Sequence, residues 1–220
     1  MFDEQGFEVV NQVLLQADCD VILSKLSCLE SQSAGTRNIL SEAWCRNLVQ
    51  TLHAHHILQR LIPANFVAVQ CTYFEKSVNK NWLVPIHQDL SIPVGMKVNS
   101  STLTGWSLKE DVLFVQPPDS LLAELIAVRL HLDDCGSRDG PLKVIPGSHK
   151  VGRISPELAL KIRTTNGELS CESKKGDALV MRPLLLHASS KSVGESRRRV
   201  LHFLFGPNKL PYGLCWEKMV

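Results

Sequence analysis

The period of the hydrophobic pattern changes near residue 65, and this change is the feature that most constrains the fold. Before it, apolar residues recur at helical spacing over residues 18–29 and 41–60. After it, short runs of β-branched and aromatic residues read as strands, from 66–76 to 198–205. Glycine and proline clusters separate these runs. The pattern predicts a mainly β fold of the α+β class, with flanking helices.

The composition is that of an ordinary globular protein with a sizeable core. Of the 220 residues 44% are hydrophobic, and the formal net charge is only +2. A charge this small does not indicate a nucleic-acid or membrane-binding surface. No apolar run reaches the length of a membrane span. We therefore expect one domain, a monomer or small homo-oligomer, with no nucleic-acid and no membrane partner.

The cysteines and the N-terminus predict the compartment. The seven cysteines are scattered, odd in number, and include no Cys-x-x-Cys pair. Reduced thiols of a cytosolic protein are the expected state. The first ten residues carry acidic side chains and no long apolar segment, unlike a secretory signal. Together these features predict a cytoplasmic location.

The segment IHQDLSIPV, residues 86–94, offers an imidazole and a carboxylate two positions apart. If the segment is extended, His87 and Asp89 point to the same side, and Gln88 points away. A candidate third ligand is His187, which closes the apolar run ALVMRPLLLH. Two histidines and one carboxylate that leave the other metal positions open suit non-haem Fe(II) and dioxygen chemistry.

A second pair with the same spacing, His131 and Asp133, lies in the predicted strand 126–133. One face of this strand is apolar, and the other carries Arg129 together with His131 and Asp133. Half-buried antiparallel strands usually expose their polar face, so the pattern alone favours water over a polar cavity. Spacing alone does not choose between the two pairs.

The alternation of residues 198–205 assigns faces to the last strand. Arg199 lies on the more apolar face, which we expect to pack under the helices. Arg198 and His202 lie on the opposite face. A guanidinium facing a cavity could hold a carboxylate through two parallel hydrogen bonds. Taken alone, a surface arginine with a salt-bridge partner is the commoner case.

Two further segments carry weaker signals. The histidines 53, 55 and 56 lie in the predicted helix 41–60 without a carboxylate or cysteine at matching spacing, so we expect packing by His56 and no metal. Residues 95–118 are rich in glycine, proline, asparagine and serine and predict a lid or binding loop. Trp106 in this loop is a candidate substrate contact or a packing residue.

Four stretches together resemble the phytanoyl-CoA dioxygenase family of Fe(II)/2-oxoglutarate-dependent oxygenases. They are the His-Gln-Asp segment, LDDCGSRDGPLKVIPGSHKVG, GDALVMRPLLLHASSKS and RRRVLHFLFGP. The resemblance implies a double-stranded β-helix, a cupin-like jelly-roll barrel with helices packed on one sheet. In a single domain spanning residues 1–220, residues 1–64 would be helical support, 65–206 the jelly-roll core and 207–220 a tail.

The resemblance also implies residue roles. His87, Asp89 and His187 match the iron ligands, which selects the first His-x-Asp pair. Arg198, eleven residues after His187, matches the arginine that binds the far carboxylate of 2-oxoglutarate. Ser189 and Thr72 match family positions that contact the cosubstrate.

Substrate residues are less well defined by the resemblance. At Arg129 some relatives carry an aromatic cosubstrate contact, whereas this chain has a long cation. The resemblance implies that the polar face carrying Arg129 and His131 points into the cleft, where an anionic substrate could bind. Trp106 completes the predicted substrate contacts.

The implied cofactors are Fe(II), 2-oxoglutarate and O2. The implied reaction is hydroxylation of an unactivated C–H bond of a small molecule, with release of succinate and carbon dioxide. Related halogenases lack the carboxylate ligand, so Asp89 favours hydroxylation. Two alternatives stay open: a non-catalytic barrel that binds a metal or small molecule, and a cupin-like barrel with a different catalytic activity.

Overall fold

The computed structural model of the protein describes residues 2–27, 35–194 and 196–220. The helices are α1 (Phe2–Gln5), α2 (Gln16–Leu26), α3 (Ala43–Ala54), α4 (Leu58–Leu61), α5 (Asp119–Glu124) and α6 (Pro156–Asn166). The strands are β1 (Phe7–Val10), β2 (Gly35–Thr36), β3 (Phe66–Lys76), β4 (Val84–His87), β5 (Ile92–Val94), β6 (Thr104–Lys109), β7 (Val112–Gln116), β8 (Ile126–His131), β9 (Leu142–Val144), β10 (Leu169–Cys171), β11 (Ala178–Met181), β12 (His187–Ser189) and β13 (Arg198–Pro207).

The strands form three antiparallel sheets. The largest has six strands in the order β1-β11-β8-β13-β3-β2, and a second has four in the order β10-β9-β12-β4. A third sheet has the order β5-β7-β6. These sheets and few helices confirm the predicted mainly β fold with flanking helices, a jelly roll of the cupin-like kind. The N-terminal segment adds β1 and β2 to the two edges of the largest sheet.

The main core lies between the six-stranded sheet and the N-terminal helices. From β13 it takes Leu201, Phe203 and Phe205, and from α3 it takes Leu48 and Leu52. The predicted face assignment of the last strand is therefore confirmed. The other face of the same sheet is directed at the cavity described below.

Strand β8 corrects one prediction. All six of its residues are buried, including Arg129 and His131. The water-facing prediction from alternation alone is therefore wrong. The polar face is buried because it lies inside the jelly roll, where both faces of a strand are covered.

The helix predicted over residues 41–60 is interrupted. Helix α3 ends at Ala54, and α4 begins only at Leu58. His56 consequently leaves the helical register and is exposed, whereas the ring of His53 packs edge-on against Phe205 at a centroid distance of 5.2 Å. The prediction that His56 packs is wrong for this reason.

The predicted loop 95–118 contains two strands. Strands β6 and β7 form a hairpin that pairs with β5, and apolar residues of this unit pack in a second core cluster. The helix predicted to end at residue 29 ends at Leu26, and residues 28 and 29 lie outside the described residues. Within the described ranges, no helix has both the length and the apolar character that crossing a bilayer requires.

Candidate metal centre

The two histidines of the candidate centre are neighbours because their strands are paired. Strand β4 ends at His87, β12 begins at His187, and the antiparallel register sets the two residues opposite each other. Directly opposed residues point to the same face of a sheet. Their ring centroids are accordingly 4.2 Å apart. The long-range pairing thus supplies two of the three donors.

Asp89 completes the group two residues beyond His87. One carboxylate oxygen lies 3.7 Å from Nε2 of His87, and the other lies 3.7 Å from Nε2 of His187. All three candidate donor atoms lie within 4.8 Å of one another. Two atoms that each bind one ion at about 2.1 Å are separated by about 3–4 Å, so this spacing fits a shared metal.

The backbone sets the tautomers that a metal needs. Nδ1 of His87 is 2.9 Å from the carbonyl oxygen of Pro85, and Nδ1 of His187 is 2.9 Å from that of Leu185. A carbonyl accepts only, so Nδ1 carries the proton and Nε2 keeps its lone pair. Burial lowers the pKa of His187 to about 4, which keeps its imidazole neutral. The donor chemistry therefore fits a divalent cation.

Gln88 points away from the centre, as predicted, and fixes the segment. Its side-chain amide nitrogen donates to the carbonyl oxygens of Gly152 at 2.8 Å and Leu184 at 2.6 Å. Its oxygen accepts from the backbone nitrogen of Ile154 at 2.8 Å. Three satisfied hydrogen bonds in a buried place restrict the orientation of the flanking donors, His87 and Asp89.

A third imidazole, His202, lies beside the carboxylate. Its Nε2 is 3.8 Å from Asp89 Oδ2, and burial lowers its pKa to about 4. Burial alone would raise the pKa of Asp89, but the interactions with His187 and His202 outweigh it, and the pKa is lowered. Strand alternation had placed His202 on this face without giving it a role.

The centre opens into a cavity of about 560 Å³ between the sheets. This volume is in the range of pockets that hold small-molecule ligands. Of the other predicted site residues, those that line the cavity are Thr72, Arg129, Ser189 and Arg198. Its apolar walls include Trp82, Leu83, Phe114 and Leu204.

The predicted cosubstrate residues form a polar end of this cavity. Arg198 is buried and donates to the carbonyl oxygen of Gly140 and, at 3.4 Å, to the hydroxyl of Ser189. Its Nε has no hydrogen-bond partner among the described residues. Thr72 is also buried, and its hydroxyl accepts from Gln70 at 2.8 Å. A buried guanidinium with a spare donor fits a carboxylate.

Lys76 is a residue of this region that the sequence analysis missed. It is 0% exposed, and Nζ donates to Ser189 Oγ at 2.6 Å and to the carbonyl oxygen of Ser190 at 2.5 Å. Nζ also lies 5.5 Å from the ring centroid of Trp82. The sequence did contain a signal for this position: Lys76 and the predicted cosubstrate contact Thr72 are four residues apart on β3, so their side chains point to the same face of the sheet.

Two predicted substrate residues do not line the cavity. His131 is buried but does not belong to the cavity lining, and neither ring nitrogen has a hydrogen-bond partner among the described residues. Trp106 packs against the second core cluster and under Lys97, whose Nζ is 5.7 Å from the ring centroid. Asp133 instead binds Arg199, with N–O distances of 2.7 and 2.8 Å, and the second His-x-Asp pair joins no metal-ligand group that the described residues form.

Comparison with solved structures identifies proteins of the same fold. HygX from Streptomyces hygroscopicus, with nickel and 2-oxoglutarate bound, is 17% identical with a TM-score of 0.66, over 94% of this chain and 84% of HygX. The carbocyclase SnoK from nogalamycin biosynthesis, described as non-heme and alpha-ketoglutarate dependent, is 14% identical with a TM-score of 0.67. That match covers 94% of this chain and 81% of SnoK.

EctD from S. alaskensis is 17% identical with a TM-score of 0.67, over 94% of this chain and 74% of EctD. No curated protein sequence matches closely enough to count as a relative. The cofactor prediction agrees with the metal and 2-oxoglutarate seen in HygX and with the donor group of this chain.

The sequence itself matches one family model. The model describes phytanoyl-CoA dioxygenase, and the match extends over residues 2–200. Both the family and the fold support iron- and 2-oxoglutarate-dependent oxygenase chemistry. The chain therefore belongs to the phytanoyl-CoA dioxygenase family.

Proposed function

We propose that this protein is an Fe(II)- and 2-oxoglutarate-dependent dioxygenase that hydroxylates an unactivated C–H bond of a small molecule. The observation that carries the proposal is the position of the His87, Asp89 and His187 donors at the wall of a cavity whose far end holds buried Arg198. This arrangement provides metal-binding donors at one end and a carboxylate partner at the other. A dicarboxylate that chelates the metal fits both requirements.

Each residue has a defined role in this proposal. His87, Asp89 and His187 hold Fe(II) on one face and leave the cavity side open. Arg198 binds the distal carboxylate of 2-oxoglutarate through its unpaired Nε and its Nη atoms. Ser189 and Thr72 offer hydroxyl groups beside it.

When bound, Fe(II) and 2-oxoglutarate supply the oxidant from O2, with release of succinate and carbon dioxide. The chain contributes position and the exclusion of water. Trp82, Phe114 and Leu204 give the cavity apolar walls around the substrate. Asp89 occupies the ligand position that is vacant in halogenases, which supports hydroxylation.

The first experiment is anaerobic and uses purified full-length protein. Fe(II) is added, then 2-oxoglutarate, and the visible charge-transfer band of the chelated keto acid is recorded. We expect a band in the wild type, none in Asp89→Ala, and at least tenfold weaker 2-oxoglutarate binding in Arg198→Met. Admission of air should then release succinate.

Arg197→Met is the matched control for Arg198→Met. Arg197 is adjacent in sequence but pairs with Glu75 at 2.7 Å, and its side chain is largely exposed. Its loss should leave the band within about twofold of wild type. Iron binding without a band would favour a different cosubstrate. Failure to bind either would favour the non-catalytic barrel.

A further inference from the structure

We infer that Arg129 binds a carboxylate of the primary substrate, so that the substrate is a small organic acid. This inference rests on the proposed function and adds the class of molecule that the site accepts. It assigns Arg129 to the substrate rather than to the cosubstrate.

Arg129 makes no hydrogen bond through its guanidinium in the described part of the chain. It is 6% exposed, and Nε is buried without a hydrogen-bond partner. Its guanidinium carbon lies 5.7 Å from the ring centroid of Phe74, and the carboxylate that acts on it electrostatically belongs to the candidate metal ligand Asp89. Buried charged groups are ordinarily paired, and an unpaired one is costly. Its donors are therefore available to a ligand in the cavity that it lines.

Arg129 stays charged near neutral pH. Burial, followed by the charge of Arg198, lowers its pKa to about 9. Because this value is still above neutrality, the side chain does not escape the cost of burial by losing its proton. An anion in the cavity would remove that cost.

In the proposed complex with metal and 2-oxoglutarate, the positive charge of Arg129 is not neutralised. A divalent metal and Asp89 together carry one positive charge, and Arg198 adds a second. The two carboxylates of 2-oxoglutarate neutralise both. Because the pKa of Lys76 is lowered to about 7, its amine is mostly neutral at pH 8, and Arg129 then carries the single remaining charge. This charge matches one carboxylate better than a phosphate dianion, and a carboxylate fits the guanidinium fork.

The position of Arg129 places this anion beside the reaction centre. On the six-stranded sheet Arg129 is paired directly with His202, whose Nε2 is 3.8 Å from Asp89 Oδ2. The guanidinium therefore lies near the metal donors and also interacts electrostatically with Arg198. A carboxylate held here would fix the distance between the acid group and the C–H bond that reacts.

Acetate is a minimal probe because it tests the anion site without the complete substrate. In Co(II)-loaded protein saturated with 2-oxoglutarate, the proton relaxation of acetate reports binding near the paramagnetic ion. We expect enhanced relaxation in the wild type, at least a tenfold loss in Arg129→Met, and partial retention in Arg129→Lys. Inorganic phosphate, followed by phosphorus relaxation, should bind more weakly than acetate.

Lys109→Met is the matched control, because it removes one exposed positive charge from the rim of the same cavity. It should keep acetate relaxation within about twofold of wild type. The 2-oxoglutarate affinity of each variant is measured by the charge-transfer band of the Fe(II) form, and Arg129→Met should retain it within about threefold.

Three results would overturn the inference. They are absence of acetate relaxation in the wild type, equal loss in Lys109→Met and Arg129→Met, and stronger binding of phosphate than of acetate. A tenfold loss of 2-oxoglutarate affinity in Arg129→Met would instead assign this arginine to the cosubstrate. Failure of the proposed function has a separate signature, since the wild type would then give no 2-oxoglutarate band.

Discussion

Lys76 and Arg198 lie directly opposite each other on β3 and β13, both are buried, and both donate to the hydroxyl oxygen of Ser189. Two cations in such a place repel each other and have lost their hydration. Burial, with the charges of Arg198 and Arg129, lowers the pKa of Lys76 to about 7. Positive charge is therefore concentrated around Ser189 at the polar end of the cavity, and an anion bound there would compensate it.

Replacing Lys76 by methionine should remove a pH dependence of stability. The ordinary pKa of a lysine is 10.5, so between about pH 7 and that value the unfolded chain binds the proton more strongly than the folded one. The free energy of unfolding of the wild type should therefore rise with pH across this window. Lys76→Met should lack this rise and should be more stable near pH 7 by on the order of 1–3 kcal/mol.

Urea unfolding of the metal-free protein at several pH values measures this effect. Lys161→Met serves as the control, because Lys161 is exposed on α6 and its loss should leave the wild-type slope. Equal slopes in the wild type and Lys76→Met would show that the buried amine does not control stability in this pH range.

The choice between the two His-x-Asp pairs can be tested by metal binding. His87→Ala removes one of three donors and should lower the affinity for Ni(II) at least a hundredfold. His131→Leu should leave it within about threefold, since His131 neither lines the cavity nor belongs to the candidate donor group of the described residues. Calorimetric titration with Ni(II) measures the affinity of both variants. A large loss in His131→Leu with little loss in His87→Ala would assign the metal to the second pair.

His202 should act on the metal through Asp89. It lies 3.8 Å from Oδ2, close enough to orient the carboxylate once a metal draws the donors together. Loss of such a neighbour typically costs 10–100-fold in metal affinity. We therefore expect about this loss in His202→Leu and a smaller one in His202→Gln, which keeps a donor. Affinity in His202→Leu equal to that of the wild type would limit His202 to packing.

Local alternation predicted the parts of the site that lie within one strand. The common side of His87 and Asp89 and the inward face of Arg198 follow from a period of two. The meeting of His87 with His187 depends on the pairing of β4 with β12, about a hundred residues apart in sequence. No local pattern contains that pairing, so the sequence offered His187 only as a candidate third ligand, and the family resemblance selected His87 and Asp89 over His131 and Asp133.

The hairpin of β6 and β7 was missed because its turn has an unusual sequence. Glu110 and Asp111 connect the strands with positive φ angles of 49° and 62°. Asparagine and glycine are the residues that usually mark such a turn, so two acidic residues gave no signal. The apolar run of β7 was consequently included in the predicted loop. The break after α3 was similarly invisible, since no glycine or proline marks it.

Gly140 supports the cosubstrate end of the cavity by its backbone. Its carbonyl oxygen accepts from Ser189 Oγ at 2.9 Å and from Arg198, and its φ is +65°. An added Cβ would lie 2.4 Å from the carbonyl oxygen of Ser190. Gly140→Ala should therefore displace both side chains, weaken 2-oxoglutarate binding at least tenfold, and cost about 2–4 kcal/mol of unfolding free energy.

Gly167→Ala is the matched control for Gly140→Ala. Gly167 also has a positive φ, +74°, but its added Cβ would meet nothing within 4 Å. It should cost only about 1 kcal/mol, from the unfavourable backbone conformation, and should leave 2-oxoglutarate binding unchanged. Urea unfolding and the anaerobic charge-transfer titration separate the two effects. If both variants bound 2-oxoglutarate like the wild type, the Gly140 carbonyl would not be what positions Arg198 and Ser189.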